Sequence, residues 1–235
     1  TNTNIQPPEK MELVSEEALS TSSFEDILTD RIMKFKGFDY KEIANKLGLR
    51  ISSKDKSRYA RIVKGILLKG LKDFDEAEEL HKAGIIVKTI RIEDNGNIKE
   101  SMSFENIIGE WVESRWYEIV TSRFMFVIFR TSTTEYAWDD EPRYILDKVL
   151  FWTMPVEDIS NAEQYWKNIR ENVLADTLDN NNTFWKLADH NNFHVRPKAQ
   201  NSKDKYFSPI SNAKVPKKAY WFNNEYVKKI IQRAY

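Results

Sequence analysis

The stretch from residue 85 to residue 92 reads IIVKTIRI, and this run of β-branched side chains decides the fold of the chain. Val, Ile and Thr pack well on a pleated surface, so the run predicts a strand. Gly84 stands before it, and Asn95-Gly96 follows with the dipeptide that hairpin-type turns prefer. We therefore expect a strand here that is followed closely by a turn.

The sequence before this strand predicts three short helices, at 23–35, 38–47 and 55–68. Ser23 provides a capping-box-like start for the first helix, and Gly48 ends the second. Apolar residues recur at helical spacing in the third, whose opposite face is basic. A helix-turn-helix is therefore a minor alternative, although the turn before the third helix is long and irregular.

The sequence after this strand predicts further strands and helices. We expect helices at 104–121, 158–173 and 223–233, strands at 124–129, at 144–152 and around Val195, and a polar loop at 176–192. Helices followed by a mixed sheet with further helices packed on it define an α/β (α+β mixed) fold.

The sequence also predicts how the chain is divided into a tail and a folded domain. Residues 1–22 are polar and contain Pro7-Pro8 and a Ser/Thr cluster, so we expect a linker or a loose tail there. The rest, 23–235, is expected to form one domain. Its helical part covers about 23–72, and its sheet-containing part covers about 78–235.

Composition limits the class of protein. Of the 235 residues 41% are hydrophobic, which allows a real core, and the absence of Cys excludes disulfides and thiolate metal sites. No apolar run approaches the roughly 18 residues of a membrane span, and no signal peptide opens the chain. We expect a soluble cytoplasmic protein without a membrane partner. Because the chain begins at Thr1 and not at Met, we expect a fragment or a processed product.

The formal net charge of zero hides an uneven distribution of charge. Residues 1–30 contain seven acids and one base, residues 50–72 eight bases and one acid, and residues 196–235 ten bases and two acids. Two basic segments in a neutral chain indicate either a surface for a polyanion such as DNA or two solvated faces.

Five segments resemble known nucleases, and they occur in the expected order. AGIIVKTI at 83–90 resembles the core strand of MutH-like nucleases, FHVRPKA at 193–199 their DNA-reading loop, and 215–229 their C-terminal hairpin and helix. KESMSF at 99–104 and the segment 154–159 resemble the second, C-terminal domain of Sau-type restriction endonucleases, which cut at GATC. The resemblance extends over nearly the whole chain, from Phe24 to Ile231.

The resemblance implies a fold and a context. It implies a mixed sheet flanked by helices that forms a cleft around a DNA duplex. Enzymes of this restriction-modification type contain an active MutH-like domain followed by a related, degenerate copy. This chain resembles the second copy, so its expected partners are GATC-containing duplex DNA, the catalytic domain of the same polypeptide, and a second copy in a homodimer on DNA.

The family's metal site is degenerate in this sequence. MutH-like nucleases bind Mg²⁺ with an Asp, a Glu-x-Lys on the core strand and a Glu from a preceding helix, because this hard cation prefers carboxylate oxygens. The strand Lys is retained as Lys88, but Ile86 occupies the Glu position, Glu79 the Asp position, and Lys64 the helical Glu position. We therefore expect no metal, no cofactor and no catalytic residue in this chain. Glu79 is more simply interpreted as an acid on a helix surface, and Lys88 as a phosphate contact or a solvent-facing base.

The resemblance also places base reading on Arg196 and Pro197, with Lys198 at a phosphate. An Arg can donate two hydrogen bonds to guanine O6 and N7, and Pro restricts the backbone beside it. Trp221 stands where the family has the aromatic residue that senses adenine, and core packing is its alternative role. His194 is either a DNA contact or a loop histidine with satisfied hydrogen bonds.

Further DNA contacts are expected at low specificity. Lys217, Lys218, Lys228 and Lys229 are expected near phosphates, and Lys56, Ser57 and Arg58 match a second loop that grips DNA across the cleft.

Three functions remain open from the sequence. The first is a catalytically inactive, GATC-binding domain that acts as an allosteric or dimerisation effector of a type II restriction endonuclease. The second is an active Mg²⁺-dependent endonuclease that uses Glu79, Lys88 and a further acid. The third is a dimerisation module that does not bind DNA. We favour the first: the chain itself is not expected to be an enzyme, whereas its full-length parent is expected to be a Mg²⁺-dependent phosphodiester hydrolase.

Overall fold

The computed structural model describes residues 13–68, 78–106, 115–136, 142–178, 180–199, 201, 203–208 and 212–234. Its helices are α1 (Glu16–Leu19), α2 (Phe24–Met33), α3 (Tyr40–Leu47), α4 (Arg58–Leu68), α5 (Glu78–Lys82), α6 (Arg115–Thr121), α7 (Val156–Leu174) and α8 (Asn224–Arg233). Its strands are β1 (Ile85–Ile92), β2 (Met102–Asn106), β3 (Arg123–Tyr136), β4 (Pro142–Thr153), β5 (Phe193–Pro197), β6 (Lys205–Ser208), β7 (Ala213–Pro216) and β8 (Lys218–Phe222). The predicted α/β class is confirmed.

The chain divides into two compact units. Unit 1 comprises Thr1–Thr89 and Met125–Phe151, and unit 2 comprises Ile90–Phe124 and Trp152–Tyr235. These units differ from the predicted helical and sheet-containing parts, because most of β3 and β4 belongs to unit 1 together with the N-terminal helices.

Local sequence signals set the ends of the helices in unit 1. The Ser23 side chain accepts a hydrogen bond from the Asp26 backbone N–H at 3.1 Å, and Gly48 adopts a left-handed conformation after α3 with φ +66°. Both ends agree with the sequence prediction. By contrast, α4 begins later than predicted, because the Asp55 carboxylate accepts hydrogen bonds from Ser57 in a turn before the helix. These hydrogen bonds, and that from Arg61, lower the pKa of Asp55 to about 2.

The core of unit 1 lies between α2, α3, α4 and the strands β3 and β4. Alternate residues of β3 are buried in it, and the three strands β1, β3 and β4 form one sheet in the order β1-β3-β4. Leu13 and Val14 are also buried in this core, immediately before α1. The described part of the N-terminal segment is therefore folded, and the loose tail that the sequence predicts is not found from residue 13 onward.

Unit 2 is organised around a second sheet with strand order β2-β8-β5, in which both pairs of neighbours are antiparallel. Strands β6 and β7 form a separate antiparallel pair. One face of the second sheet packs into an aromatic cluster whose fully buried members include Trp116, Tyr165, Phe193, Tyr220 and Phe222. This cluster fixes the position of β5 and β8, the strands that contain the candidate site.

One predicted element of unit 2 is wrong. The helix expected at 104–121 is described at Arg115–Thr121, but Phe104, at its predicted start, lies in β2. Met102 and Phe104 are buried while Ser103 between them is not, so the alternation is that of a strand and not of a helix. The predicted residues 107–114 lie outside the described part of the chain.

The other helices and strands that the sequence predicts in unit 2 are confirmed. The strand around Val195 is β5, and the predicted helices at 158–173 and 223–233 are α7 and α8. The described residues of 176–192 are loop apart from one short 3-10 turn. No described helix is both long enough and apolar enough to cross a membrane.

Candidate nucleic-acid interface

The alternation of side chains along β5 gives its two faces different environments. Phe193 and Val195 point into the aromatic core, so His194 and Arg196 project from the opposite face. In the register with β8, His194 lies opposite Trp221 and Arg196 lies opposite Ala219. The register therefore brings His194, Arg196 and Trp221 onto one face, which we call the reading face.

On the reading face, Arg196 lies against the indole ring of Trp221. Its guanidinium carbon is 4.6 Å from the centre of the ring, within the range of a cation–π contact. The Arg196 side chain is nevertheless exposed. Its cross-strand neighbour Ala219 has only a methyl group, which leaves room for the guanidinium over the indole. This arrangement presents an exposed, orientated cation to the solvent.

His194 lies beside the same indole but is buried, with 1% of its surface exposed. The two rings are nearly parallel, at 25°, with centres 6.0 Å apart. Neither ring nitrogen has a hydrogen-bond partner within the described residues. Burial, and secondly the positive charge of Arg196, lower the pKa of His194 to about 4. Burial therefore keeps His194 neutral at pH 7, and His194 lies in β5 and not in a loop as the sequence predicts.

Lys198 lies two residues beyond Arg196, directly after β5, and it is hydrogen-bonded to neighbouring segments of unit 2. Its backbone N–H donates to the Lys217 carbonyl at 3.0 Å, and its ammonium donates to the Phe104 carbonyl at 2.5 Å. Pro197 is exposed and pairs in register with Lys218. The backbone that presents Arg196 is thus held on both sides.

Among the other predicted lysines of unit 2, Lys229 is exposed, and Lys217 and Lys228 each contact an oxygen of a neighbouring side chain. The Lys217 ammonium lies 2.5 Å from a carboxylate oxygen of Asp204, and the Lys228 ammonium lies 2.6 Å from the side-chain oxygen of Asn97. Both side chains are close enough to the surface to reach a phosphate.

Lys218 differs from the exposed phosphate contact that the sequence predicts. Only 3% of its surface is exposed, and its ammonium donates to the side chain of Asn181 and lies 5.1 Å from the centre of the Phe184 ring. Because it projects from the face opposite to Trp221, it supports the loop at 181–184. We therefore remove Lys218 from the candidate interface.

The second predicted loop, at 56–58, belongs to unit 1. Lys56 and Ser57 are exposed, as expected for a phosphate contact. Arg58 is not: it is 7% exposed, and its guanidinium carbon lies 5.4 Å and 5.2 Å from the ring centres of Tyr40 and Tyr59. This correction leaves Lys56 and Ser57 as the candidates in unit 1.

The four positions that the resemblance assigns to the nuclease metal site all belong to unit 1. Ile86 and Lys88 are half-buried and share one face of β1, two residues apart. A side-chain oxygen of Glu79 accepts a hydrogen bond from the Leu13 backbone N–H at 2.6 Å, so this carboxylate anchors the N-terminal segment. Lys64 lies half-buried on α4. Across the described ranges, no three His, Cys, Asp or Glu side chains are grouped so that they could bind a metal ion.

Several contacts of the candidate site could not be found from the sequence. Asn181, Asp204, Phe104 and Asn97 each bind a predicted lysine, but they come from different loops and strands. In the sequence, these residues stand out only as polar loop residues or as part of a strand, and neither feature indicates a lysine partner. The position of Trp221 was indicated by resemblance alone.

Comparison with known proteins relates this chain to restriction endonucleases. No family model matches the chain. Among curated proteins, it is similar to the type II restriction enzyme Sau3AI of Staphylococcus aureus, with 27% identity over an alignment that covers 91% of the chain. The alignment covers 52% of that enzyme, so the chain spans about half the length of the curated relative it matches.

Proposed function

We propose that this chain binds GATC-containing duplex DNA without cleaving it, as a degenerate MutH-like domain. The observation that supports this most directly is Arg196, an exposed guanidinium held over the Trp221 ring. Arginine pairs with guanine O6 and N7 in the major groove, which is the commonest specific contact to a base. The similarity to a type II restriction enzyme makes duplex DNA the natural target of such a residue.

Phosphate contacts would supply most of the affinity in this proposal. Lys198, Lys217 and Lys228 in unit 2 lie at or near the surface, where their side chains can reach a phosphate. Each neutralised phosphate releases counterions from the DNA, so binding must weaken steeply as salt rises. A domain that only mediates dimerisation would lack this dependence.

The proposed lack of cleavage is based on the residues that occupy the family's metal-binding positions in this chain. Ile86 offers no oxygen to Mg²⁺, and Lys64 would repel it by like charge. Glu79 is the one carboxylate among these positions, and one of its oxygens already accepts a hydrogen bond from the Leu13 backbone N–H. The chain itself therefore needs no cofactor, and Mg²⁺ belongs to the catalytic domain of the longer parent.

The length of the relative suggests the context in which this binding acts. Because the chain matches about half of a restriction enzyme, we propose that the parent polypeptide also contains a catalytic domain. DNA bound here would then favour the activity or the dimerisation of that domain. Such coupling is allosteric only if two sites affect each other's affinity.

Arg196→Ala is expected to weaken binding to a GATC duplex by about 1–3 kcal/mol, which is about 5- to 150-fold in Kd. Binding to a scrambled duplex should change much less, because only the base contact is lost. Fluorescence anisotropy with both duplexes measures the two affinities.

The matched control is Arg170→Ala. Arg170 is also exposed and also lies near an indole, with its guanidinium carbon 6.0 Å from the Trp166 ring centre, but it belongs to α7. This control should leave the affinity for both duplexes unchanged. An equal loss in both variants, or an equal loss on both duplexes, would mean that Arg196 contributes only charge.

A further inference from the structure

The edge of the Trp221 indole that carries the ring N–H faces the interior of the protein. Its ring N–H is buried and has no hydrogen-bond partner within the described residues, while Trp221 as a whole is only half-buried. This N–H therefore cannot donate to a base unless the ring turns over. What the ring does offer to the reading face is its π surface, and the Arg196 guanidinium occupies it at 4.6 Å.

The neighbours of Trp221 restrict how far the indole can move. His194 lies nearly parallel to it across the strand pair, with ring centres 6.0 Å apart, and Ser103 of β2 pairs with Trp221 on the other side of β8. Because His194 is buried, it leaves the indole little room to move on that side. A rigid ring in turn limits the conformations of the long arginine side chain that lies on it.

We propose that Trp221 is a positioning residue, which holds the Arg196 guanidinium in the orientation that reads guanine. This inference depends on the proposed function, and it names the residue that sets the specificity of the same site. The loss of rotamer freedom in a free arginine side chain has a free-energy cost on binding. Pre-ordering it on an indole removes part of that cost before the DNA arrives.

Two substitutions separate positioning from simple packing. Trp221→Phe keeps an aromatic face for the guanidinium, whereas Trp221→Leu keeps an apolar side chain but removes the π surface. We expect Trp221→Leu to weaken GATC binding by about three- to thirtyfold, in the range of a cation–π contact, and to reduce the preference for GATC. Trp221→Phe should restore most of both. Thermal unfolding of the two variants shows whether each remains folded.

A second measurement uses the free protein and needs no DNA. In an NMR spectrum, the Nε–Hε resonance of Arg196 should be shifted upfield by the ring current of Trp221, and Arg196→Lys identifies the signal by removing it. The shift should persist in Trp221→Phe and disappear in Trp221→Leu. An unshifted Arg196 resonance in the unsubstituted chain overturns the proposal, even if Trp221→Leu fails to fold.

The outcomes distinguish this inference from the proposed function. A shifted resonance with unchanged GATC preference in Trp221→Leu overturns the positioning role and leaves GATC binding intact. A shifted resonance in a chain that binds neither duplex overturns the proposed function. It also overturns the proposal that Trp221 positions Arg196 to read guanine. A shifted resonance together with loss in Trp221→Leu and recovery in Trp221→Phe supports both.

Discussion

Replacing Trp116 by alanine is expected to lower the free energy of unfolding by about 3–5 kcal/mol, the range for deleting a large aromatic side chain from a core. Trp116 is fully buried at the centre of the aromatic cluster in unit 2. Its ring is stacked on Tyr220 at 13° with centres 4.8 Å apart, and it meets Phe193 edge-on at 5.4 Å. Its indole N–H donates to the Ala162 carbonyl at 3.1 Å, so the substitution also removes a buried hydrogen bond.

Urea unfolding followed by circular dichroism measures this loss. Trp185→Ala is the matched control, because Trp185 packs on Tyr165 with ring centres 5.5 Å apart but is only half-buried. Trp185→Ala should lower the free energy of unfolding by clearly less than Trp116→Ala. If the two variants were equally stable, Trp116 would not be the centre of this core.

The same substitution should also affect the reading face. Tyr220 and Phe193 contact Trp116, and they are the sequence neighbours of Trp221 and His194. A cavity beneath these two residues loosens the strands that present Arg196.

Lowering the pH from about 6.5 to about 4 is expected to destabilise the fold by about 3 kcal/mol through His194 alone. The folded state keeps His194 neutral down to a pKa of about 4, whereas the unfolded chain protonates it near 6.5. Between these values the unfolded state binds the extra proton, so stability rises with pH across this window. Above pH 6.5 His194 makes no further contribution to the change.

Unfolding of the unsubstituted chain and of His194→Phe at several pH values isolates this contribution. Phenylalanine keeps an aromatic ring beside Trp221 but cannot be protonated, and His81 and His190 remain in both proteins. The unsubstituted chain should therefore lose stability relative to His194→Phe as the pH falls below about 6.5, by about 3 kcal/mol at pH 4. Parallel pH profiles would show that His194 is as easily protonated in the folded state as in the unfolded chain.

The sequence was most informative where one local rule determined the outcome. The β-branched run at 85–92 became β1 with the predicted bounds, the Ser23 side chain caps the start of α2, and Gly48, which lacks a Cβ, ends α3 in a left-handed conformation. The helix predicted from residue 104 was wrong, because the two-residue alternation of Met102 and Phe104 is too short to stand out next to the helical pattern that follows.

The candidate site was predicted less completely, because burial of a cation depends on distant partners. Lys218 is enclosed by Asn181 and Phe184, which are more than 30 residues away in the chain, and no local pattern marks that contact. In the same way Arg58 is covered by Tyr40 from the preceding helix. The sequence placed Arg196 in a loop, whereas it lies exposed near the end of β5, and its contact with Trp221 follows only from the register of β5 and β8.

The most direct test of the proposed function is a single titration in the presence of Mg²⁺. The chain is added to a short duplex with one GATC and to a scrambled duplex of the same composition, and binding and strand nicking are scored in the same samples. We predict a preference for GATC of about tenfold or more, with both strands intact. Nicking at GATC by this chain would contradict the account and identify an active nuclease, and equal or absent binding to the two duplexes would contradict specific recognition.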